Sequence, residues 1–176
     1  MIPETKSSTH LVIAYTDGSC LRNPGGRSAS AAILQYPNGS ESRHVQGYLA
    51  SSNQRAELLA AIAAMEAVAS PEALEAVGTL GRLLIRSDSL YVVHGLRKHL
   101  DGGHSLPTAN KDLWLRALKA ARALPEVRTE WIKGHNGDPG NELADQLAGN
   151  AATHGPWIKD DQSIPEPDED LFSWSP

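Results

Sequence analysis

Runs of β-branched and aromatic residues separated by polar turns predict three strands in the first fifty residues. Leu11–Tyr15 is a strand-forming run that leads into Thr16–Ser19, where an Asp-Gly pair indicates a turn. Ala29–Tyr36 and Ser42–Leu49 flank Pro37-Asn-Gly-Ser40, a combination typical of a hairpin turn. We therefore expect the first three strands to be antiparallel neighbours.

The pattern changes to a helical period after Leu49. Ser51–Ser70 has apolar residues at helical spacing in an Ala-rich background, and its first residues offer N-caps. The next predicted elements are a strand, two helices, a strand and a helix, over Arg82–Arg86, Leu90–Leu100, Asn110–Leu124, Glu126–Lys133 and Pro139–Ala152. Strands that alternate with helices after an initial meander predict an α/β fold with a mixed five-stranded sheet and helices packed on it.

The composition fits a single domain with a hydrophobic core, since the chain has 176 residues and 40% hydrophobic content. A lone Cys20 allows no intrachain disulfide, and the polar segment Met1–His10, which we expect to be flexible, does not look like a secretory signal. No apolar run approaches the roughly 20 residues that a membrane-spanning helix needs. We expect a monomeric cytoplasmic protein.

The net charge of −5 is unfavourable for a protein that binds a polyanion, but the negative charge is concentrated at one end. Residues 155–176 contain one lysine and six acidic residues, so residues 1–154 carry no net charge. This Pro-containing acidic tail is expected to be disordered. A solvated appendage is favoured over a docking peptide for a protein partner or an electrostatic mimic of nucleic acid.

Four carboxylates from four different elements are candidates for a metal site. Asp17 and Asp88 follow the first and fourth predicted strands, and Glu57 and Asp145 lie near the beginnings of helices that can cover the same edge of the sheet. Clustered carboxylates need a divalent cation to relieve their repulsion, and oxygen ligands favour Mg²⁺ or Mn²⁺. Each acid alone also fits an ordinary turn, cap or surface role.

The short sequence motifs around these acids resemble those of the type I ribonuclease H family and occur in the same order. They are Tyr15-Thr-Asp-Gly-Ser19 with Asn23-Pro-Gly-Gly26, Ser52-Asn-Gln-Arg-Ala-Glu-Leu58, Ser87-Asp-Ser89, Trp131-Ile-Lys-Gly-His-Asn136 and Asn141-Glu-Leu-Ala-Asp145. The resemblance implies a ribonuclease H-like fold over residues 11–154, with helices on both faces of the sheet. It also implies an endonuclease that hydrolyses the RNA strand of RNA/DNA hybrids and leaves 5′-phosphate and 3′-hydroxyl ends.

The family's metal ligands fall on Asp17, Glu57, Asp88 and Asp145, none of which is substituted. The resemblance implies two Mg²⁺ ions, with Mn²⁺ as a substitute, and in-line hydrolysis of a phosphodiester. The family's loop histidine falls on His135. Histidine changes its charge near neutral pH, which suits proton transfer to the leaving group or help with product release.

By position, the residues that the resemblance implies for contact with the hybrid lie around the first strand and the first long helix. They are Gly18, Ser19, Asn23, Ser52, Asn53 and Gln54. Polar groups of this kind can test for a 2′-hydroxyl, which distinguishes RNA from DNA. Helix capping and turn formation are equally good explanations of the same side chains. Trp114 and Trp131 are predicted to be core residues rather than stacking platforms.

Two features depart from the family pattern. Leu90 stands where bacterial relatives often carry a substrate-contacting Gln, and the segment between Leu96 and Trp114 is short and lacks the basic, Trp-containing handle of many members. Arg97, Lys98, His99 and Lys111 are the positive or titratable residues that remain there. Binding to the hybrid is therefore predicted to be weaker and sensitive to salt.

Two alternatives to a ribonuclease H remain. Acidic metal sites on this fold also occur in enzymes that cut other nucleic acids, such as resolvases and transposases. A non-catalytic hybrid-binding module is the second alternative, but a binder has no need to concentrate negative charge against phosphates. The intact set of four acids favours the catalytic interpretation.

Overall fold

The computed structural model describes residues 11–73, 81–102 and 106–160. In chain order its elements are β1 (Leu11–Cys20), β2 (Gly26–Gln35), β3 (Glu41–Ser51), α1 (Asn53–Val68), β4 (Arg82–Ser87), α2 (Leu90–Leu100), α3 (Lys111–Arg122), β5 (Val127–Trp131), α4 (Pro139–His154) and β6 (Trp157–Ile158). The strands form one mixed sheet in the order β5-β4-β1-β2-β3-β6. The predicted α/β class is confirmed.

The first three strands form an antiparallel meander, as predicted, and the later strands add to it in parallel. β1 pairs with β2 and β2 with β3 in antiparallel fashion. β4 is parallel to β1, β5 to β4 and β6 to β3. The β2–β3 turn contains Gly39 at φ +84°, a left-handed conformation that glycine adopts without strain. Because β1 and β4 are parallel neighbours, their carboxyl ends lie at the same edge of the sheet.

The prediction that β1 gives way to a turn at Thr16 was wrong. β1 continues to Cys20, which pairs with Ser28, and Asp17 pairs with Ala31 inside the ladder. Gly18 is therefore a strand residue, and its lack of a side chain serves packing rather than a turn. A Cβ at Gly18 would overlap the backbone nitrogen of Glu57 at the beginning of α1.

Within the described residues the sheet has six strands rather than the predicted five, because the chain after α4 returns to the sheet. Trp157 and Ile158 pair with Gly47 and Tyr48 of β3. The Trp157 indole donates a hydrogen bond to the carbonyl oxygen of Ala152 at 3.1 Å. Residues 155–160 thus belong to the folded body. The rest of the predicted tail, 161–176, and the predicted flexible segment 1–10 lie outside the described residues.

Helices cover both faces of the sheet, and the alternation along β1 shows how. Val12 and Ala14 face a large core that α1, α2 and α3 share with the sheet. Ile13 and Tyr15 face the other side, where they pack with Ala144 of α4. α1 therefore approaches the sheet edge from one face and α4 from the opposite face.

Trp114 of α3 is fully buried, which confirms its predicted core position. Its indole donates a hydrogen bond to the hydroxyl of Tyr91 at 2.8 Å, and its ring packs edge-on against Tyr91 and His99. Gly95 leaves the space for this ring, because a Cβ there would overlap it. The packing of α3 against α2 is therefore centred on one aromatic residue.

Candidate active site

The sheet register brings Asp17 and Asp88 to the same level. Tyr15 of β1 pairs with Arg86 of β4, so the residues two positions further along these parallel strands lie side by side. The loop after β4 is fixed through its backbone, since the Trp131 indole donates to the Asp88 carbonyl oxygen at 3.0 Å. Trp131 is 47% exposed, so the prediction that it belongs to the core was wrong. Trp131 lies in β5, the edge strand of the sheet, and its indole contacts the β4–α2 loop rather than the core.

Glu57 reaches these two carboxylates from α1. Ser52 is the N-cap of the helix and accepts a hydrogen bond from the Arg55 backbone N–H at 3.3 Å, as one of the predicted caps. Because Gly18 has no side chain, the first turn of α1 lies directly against the backbone of β1. The Glu57 side chain therefore enters the sheet edge at the level of Asp17.

Asp17, Glu57 and Asp88 form a group whose ligand oxygens all lie within 4.8 Å of one another. Asp17 and Glu57 are each only 6% exposed. Oε2 of Glu57 is buried and has no hydrogen-bond partner among the described residues. A buried oxygen without a partner, in a set of three carboxylates, fits a hard divalent cation such as Mg²⁺ or Mn²⁺.

The electrostatics of the group show the cost of this convergence. Burial, followed by the charges of Asp88 and Asp145, raises the pKa of Asp17 from 3.8 to about 7. Burial, followed by the charges of Asp17 and Asp88, raises the pKa of Glu57 well above its usual value. A backbone hydrogen bond from Gly18 opposes both shifts without cancelling them. Full ionisation of the group is therefore unfavourable in the metal-free chain, and a cation would offset that cost.

Asp145, the fourth predicted ligand, lies beside this group but not within it. Its negative charge is one of the causes that raise the pKa of Asp17. Its side chain is 49% exposed, and its Oδ2 is 3.8 Å from Nδ1 of His135. The described site thus has a buried group of three acids and, at its open side, an exposed pair formed by Asp145 and His135.

The His135 loop is anchored at its end and exposed at its centre. His135 has φ +51° and an 81% exposed side chain. Asp138 caps α4 by accepting hydrogen bonds from Gly140 and Asn141, with Pro139 in the first turn as predicted. An imidazole on such a loop can reach different positions over the open side of the carboxylates.

Sequence reasoning missed the role of Gly134. A Cβ at this position would overlap the carboxylate oxygen Oδ2 of Asp88. Glycine at position 134 therefore leaves the Asp88 carboxylate in place, whereas a larger residue would force it to move. The signal was present in the Lys-Gly-His word, but only the tertiary structure shows which side chain it approaches.

The six predicted substrate-contacting residues lie at one place, around the N-terminus of α1. Asn23, in the β1–β2 turn, accepts a hydrogen bond from the Asn53 backbone N–H at 3.0 Å, and Gly25 N donates to Ser51 O at 2.7 Å. Asn23 and Gln54 are exposed. The complete set is Gly18, Ser19, Asn23, Ser52, Asn53 and Gln54. A helix N-terminus with exposed polar side chains beside it favours an anion.

Comparison with known proteins agrees with this geometry. The ribonuclease H family model matches residues 9–153. A ribonuclease H of Xanthomonas oryzae pv. oryzae is 40% identical over 147 residues, which cover 79% of this chain and 90% of that protein. The chain belongs to the ribonuclease H family. A ribonuclease H of a Shewanella species is 35% identical over 164 residues, covering 89% of this chain and 96% of that protein.

Solved structures of the family share the fold. The crystal structure of LC9-RNase H1, described as a type 1 RNase H with the type 2 active-site motif, has a TM-score of 0.65 and 26% sequence identity. The match covers 98% of this chain and 95% of that one. The RNase H1 of the halophilic archaeon Halobacterium salinarum has a TM-score of 0.59 and 26% identity, over 81% of this chain and 96% of that one.

The two departures from the ribonuclease H pattern are visible in the structure. Leu90 is 51% exposed at the beginning of α2, two residues after Asp88. Of the residues expected to replace the basic handle, Arg97 and Lys98 are exposed, but His99 is buried against Trp114. His99 therefore supplies packing rather than a positive surface group.

Proposed function

We propose that this protein is an endonuclease that hydrolyses the RNA strand of RNA/DNA hybrids by a two-metal-ion mechanism, leaving 5′-phosphate and 3′-hydroxyl ends. The observation that supports it most directly is the group of buried carboxylates from β1, α1 and the β4–α2 loop, within 4.8 Å of one another. Membership of the ribonuclease H family supplies the substrate class.

The proposed metal ligands are Asp17, Glu57, Asp88 and Asp145. Two Mg²⁺ ions, with Mn²⁺ as a substitute, would supply activation of the attacking water and stabilisation of the leaving oxygen. Asp17 and Glu57 are buried, so packing restricts the positions of their side chains. Asp145 is exposed and can adapt its position when phosphate enters. We therefore assign rigid binding to the buried acids and adjustable binding to Asp145.

His135 is proposed as the proton donor to the leaving oxygen or as the group that assists product release. It lies 3.8 Å from Asp145 and is exposed, so a proton can be exchanged with solvent between turnovers. General acid catalysis of this kind contributes typically about 100- to 10,000-fold to a rate.

The hybrid is proposed to bind across the beginning of α1. Ser52 and Asn23 would hold a phosphate of the DNA strand, where the N-terminal end of the helix adds its dipole. Asn53 and Gln54, together with the backbone of Gly18 and Ser19, would test the RNA strand for its 2′-hydroxyls. Because Asn23 and Asn53 are hydrogen-bonded to each other, the two strands would be read by connected residues.

We further propose that the protein acts as a cytoplasmic monomer. Within the described part of the chain, no helix has both the length and the apolar character needed to span a bilayer. For the acidic tail, residues 155–176, we propose a protein partner as the alternative to a solvated appendage.

The decisive experiment offers body-labelled RNA/DNA hybrid, RNA duplex and DNA duplex to the protein with Mg²⁺, Mn²⁺ or chelator. We expect internal cleavage of the RNA strand of the hybrid only, abolished by chelator and by Asp17→Asn. End-group analysis of the fragments should find 5′-phosphate and 3′-hydroxyl. Cleavage of DNA duplex would instead indicate a resolvase- or transposase-like enzyme, and binding without cleavage a hybrid-binding module.

A further inference from the structure

The first turn of α1 contains Asn53 and Gln54 and leads directly into Glu57, so its position determines the geometry of the site. Arg55 lies in this turn, with a side chain only 20% exposed. Its guanidinium group donates hydrogen bonds from Nε and Nη2 to Asp160 at 2.6 and 3.0 Å. It also donates from Nη1 and Nη2 to Asp112 at 3.1 and 2.8 Å. Each of the two carboxylates thus forms a bidentate ion pair with the guanidinium group.

These two carboxylates come from elements that are distant in sequence. Asp112 is in the first turn of α3, and Asp160 follows β6. Asp160 has a 10% exposed side chain and also accepts a hydrogen bond from the hydroxyl of Ser51 at the end of β3. The Arg55 clamp, which we define as Arg55, Asp112 and Asp160, therefore connects α1 with α3 and with the end of the described chain.

We propose that Arg55 is a positioning residue, whose clamp holds the first turn of α1 so that Glu57 meets Asp17 and Asp88 in a metal-binding arrangement. β1 fixes the same turn from another side, because the backbone at Gly18 lies against Glu57. The inference rests on the proposed function in taking a divalent cation as the ligand. Residues that orient metal ligands typically change metal affinity by about 10- to 100-fold when mutated.

A second ion pair between the same helices provides a matched control. Arg116 of α3 donates from Nε and Nη2 to Glu66 of α1, both at 2.7 Å. The Glu66 side chain is 42% exposed and that of Asp112 is 40% exposed. Glu66 lies nine residues beyond Glu57, about 13 Å along the helix. Glu66→Gln therefore removes an α1–α3 carboxylate of similar exposure at the end of α1 that is remote from the site.

The test measures Mn²⁺ affinity by titration calorimetry for the wild-type protein and for Asp112→Asn, Asp160→Asn, Arg55→Lys and Glu66→Gln. We expect the three clamp variants to bind Mn²⁺ about 10- to 100-fold more weakly. Arg55→Lys keeps the charge but cannot form two forked pairs. Glu66→Gln should bind within about twofold of wild type. Equal losses in the clamp variants and in Glu66→Gln, or no loss in either, would overturn the proposal.

A second readout in chelator separates this inference from the proposed function. Hydrogen exchange of the backbone amides of residues 53–57 should be at least about tenfold faster in the clamp variants than in Glu66→Gln. Failure of the wild-type protein to bind Mn²⁺ would contradict the proposed function. The role of the clamp in holding the turn would then be tested by hydrogen exchange alone. Exchange in the clamp variants as slow as in Glu66→Gln would refute that role.

Discussion

Neutralising one acid of the site should stabilise the metal-free protein at alkaline pH, and Asp17→Asn tests this. Asp17 is 6% exposed, and burial together with the charges of Asp88 and Asp145 raises its pKa to about 7. Asparagine has nearly the same shape and retains an oxygen that can accept the Gly18 backbone hydrogen bond. The substitution therefore removes the charge with little change in packing.

The sign and size of the effect follow from the two pKa values. Below pH 3.8 the carboxyl of Asp17 is protonated in both the folded and the unfolded chain, and its contribution to stability is fully present. Between pH 3.8 and about 7 only the unfolded chain loses the proton, so stability falls as pH rises. A difference of about three pKa units at 1.36 kcal/mol each amounts to about 4 kcal/mol above pH 7.

Differential scanning calorimetry in chelator measures this loss. At pH 9 we expect Asp17→Asn to be more stable than wild type by about 4 kcal/mol, or roughly 10 °C in Tm for a chain of this size. At pH 4.5 the difference should fall to about 1 kcal/mol, because this pH lies less than one unit above the unfolded pKa of 3.8 and little of the loss has accumulated. Mg²⁺ should stabilise wild type and have a much smaller effect on the variant. An advantage that is absent at pH 9, or as large at pH 4.5, would refute the reasoning.

Three further predictions concern other parts of the chain. Gly18→Ala should lower stability by about 1–3 kcal/mol and reduce hybrid cleavage, because the added Cβ would overlap the backbone of α1. Gly149→Ala is the control, since its Cβ would enter open space and should not destabilise the protein, and equal Tm values for the two variants would contradict the prediction. Deletion of residues 161–176 should leave Tm unchanged, but deletion of 155–176 should lower it because β6 is lost. Leu90→Gln should tighten hybrid binding in filter-binding assays across a salt series, and unchanged affinity would argue that Leu90 does not face the substrate.

Local sequence signals predicted most elements because those signals act within a few residues. Leu90–Leu100 is a helix over the predicted range, and the β2–β3 turn is built on Gly39 as its sequence indicates. β1 was misjudged because the same Asp-Gly pair that forms turns also permits close packing of a helix. Only the position of α1 distinguishes these roles, and that position depends on residues about forty positions away.

β6 shows the same limit at the other end of the chain. Trp157 and Ile158 form a two-residue strand, too short for any periodicity, in a segment whose Pro and acidic residues are typical of a disordered tail. Pairing with β3 and the hydrogen bonds of Asp160 order it nevertheless. These contacts join residues about 105 positions apart, so the sequence alone could not predict them.

The sequence motifs indicate which acids to propose as ligands, but not how the structure would distinguish them. Equal motifs gave no reason to treat Asp145 differently from Asp17. In the structure, three acids converge with two of them nearly buried, whereas Asp145 is half-exposed beside His135. Asp145 comes from α4, which packs on the face of the sheet opposite to α1.

The destabilising charge of the site and the ion pairs that support it lie close together, at the N-terminal end of α1. Glu57 is driven toward Asp17 and Asp88 although burial and their charges oppose its ionisation. Two residues earlier, Arg55 binds two carboxylates and connects the turn to α3 and to the end of the described chain. Repulsion in the metal-free site would push the turn outward, and the clamp resists that movement. A site assembled against its own charge in this way gains most from a cation, because binding then relieves repulsion without requiring the ligands to move.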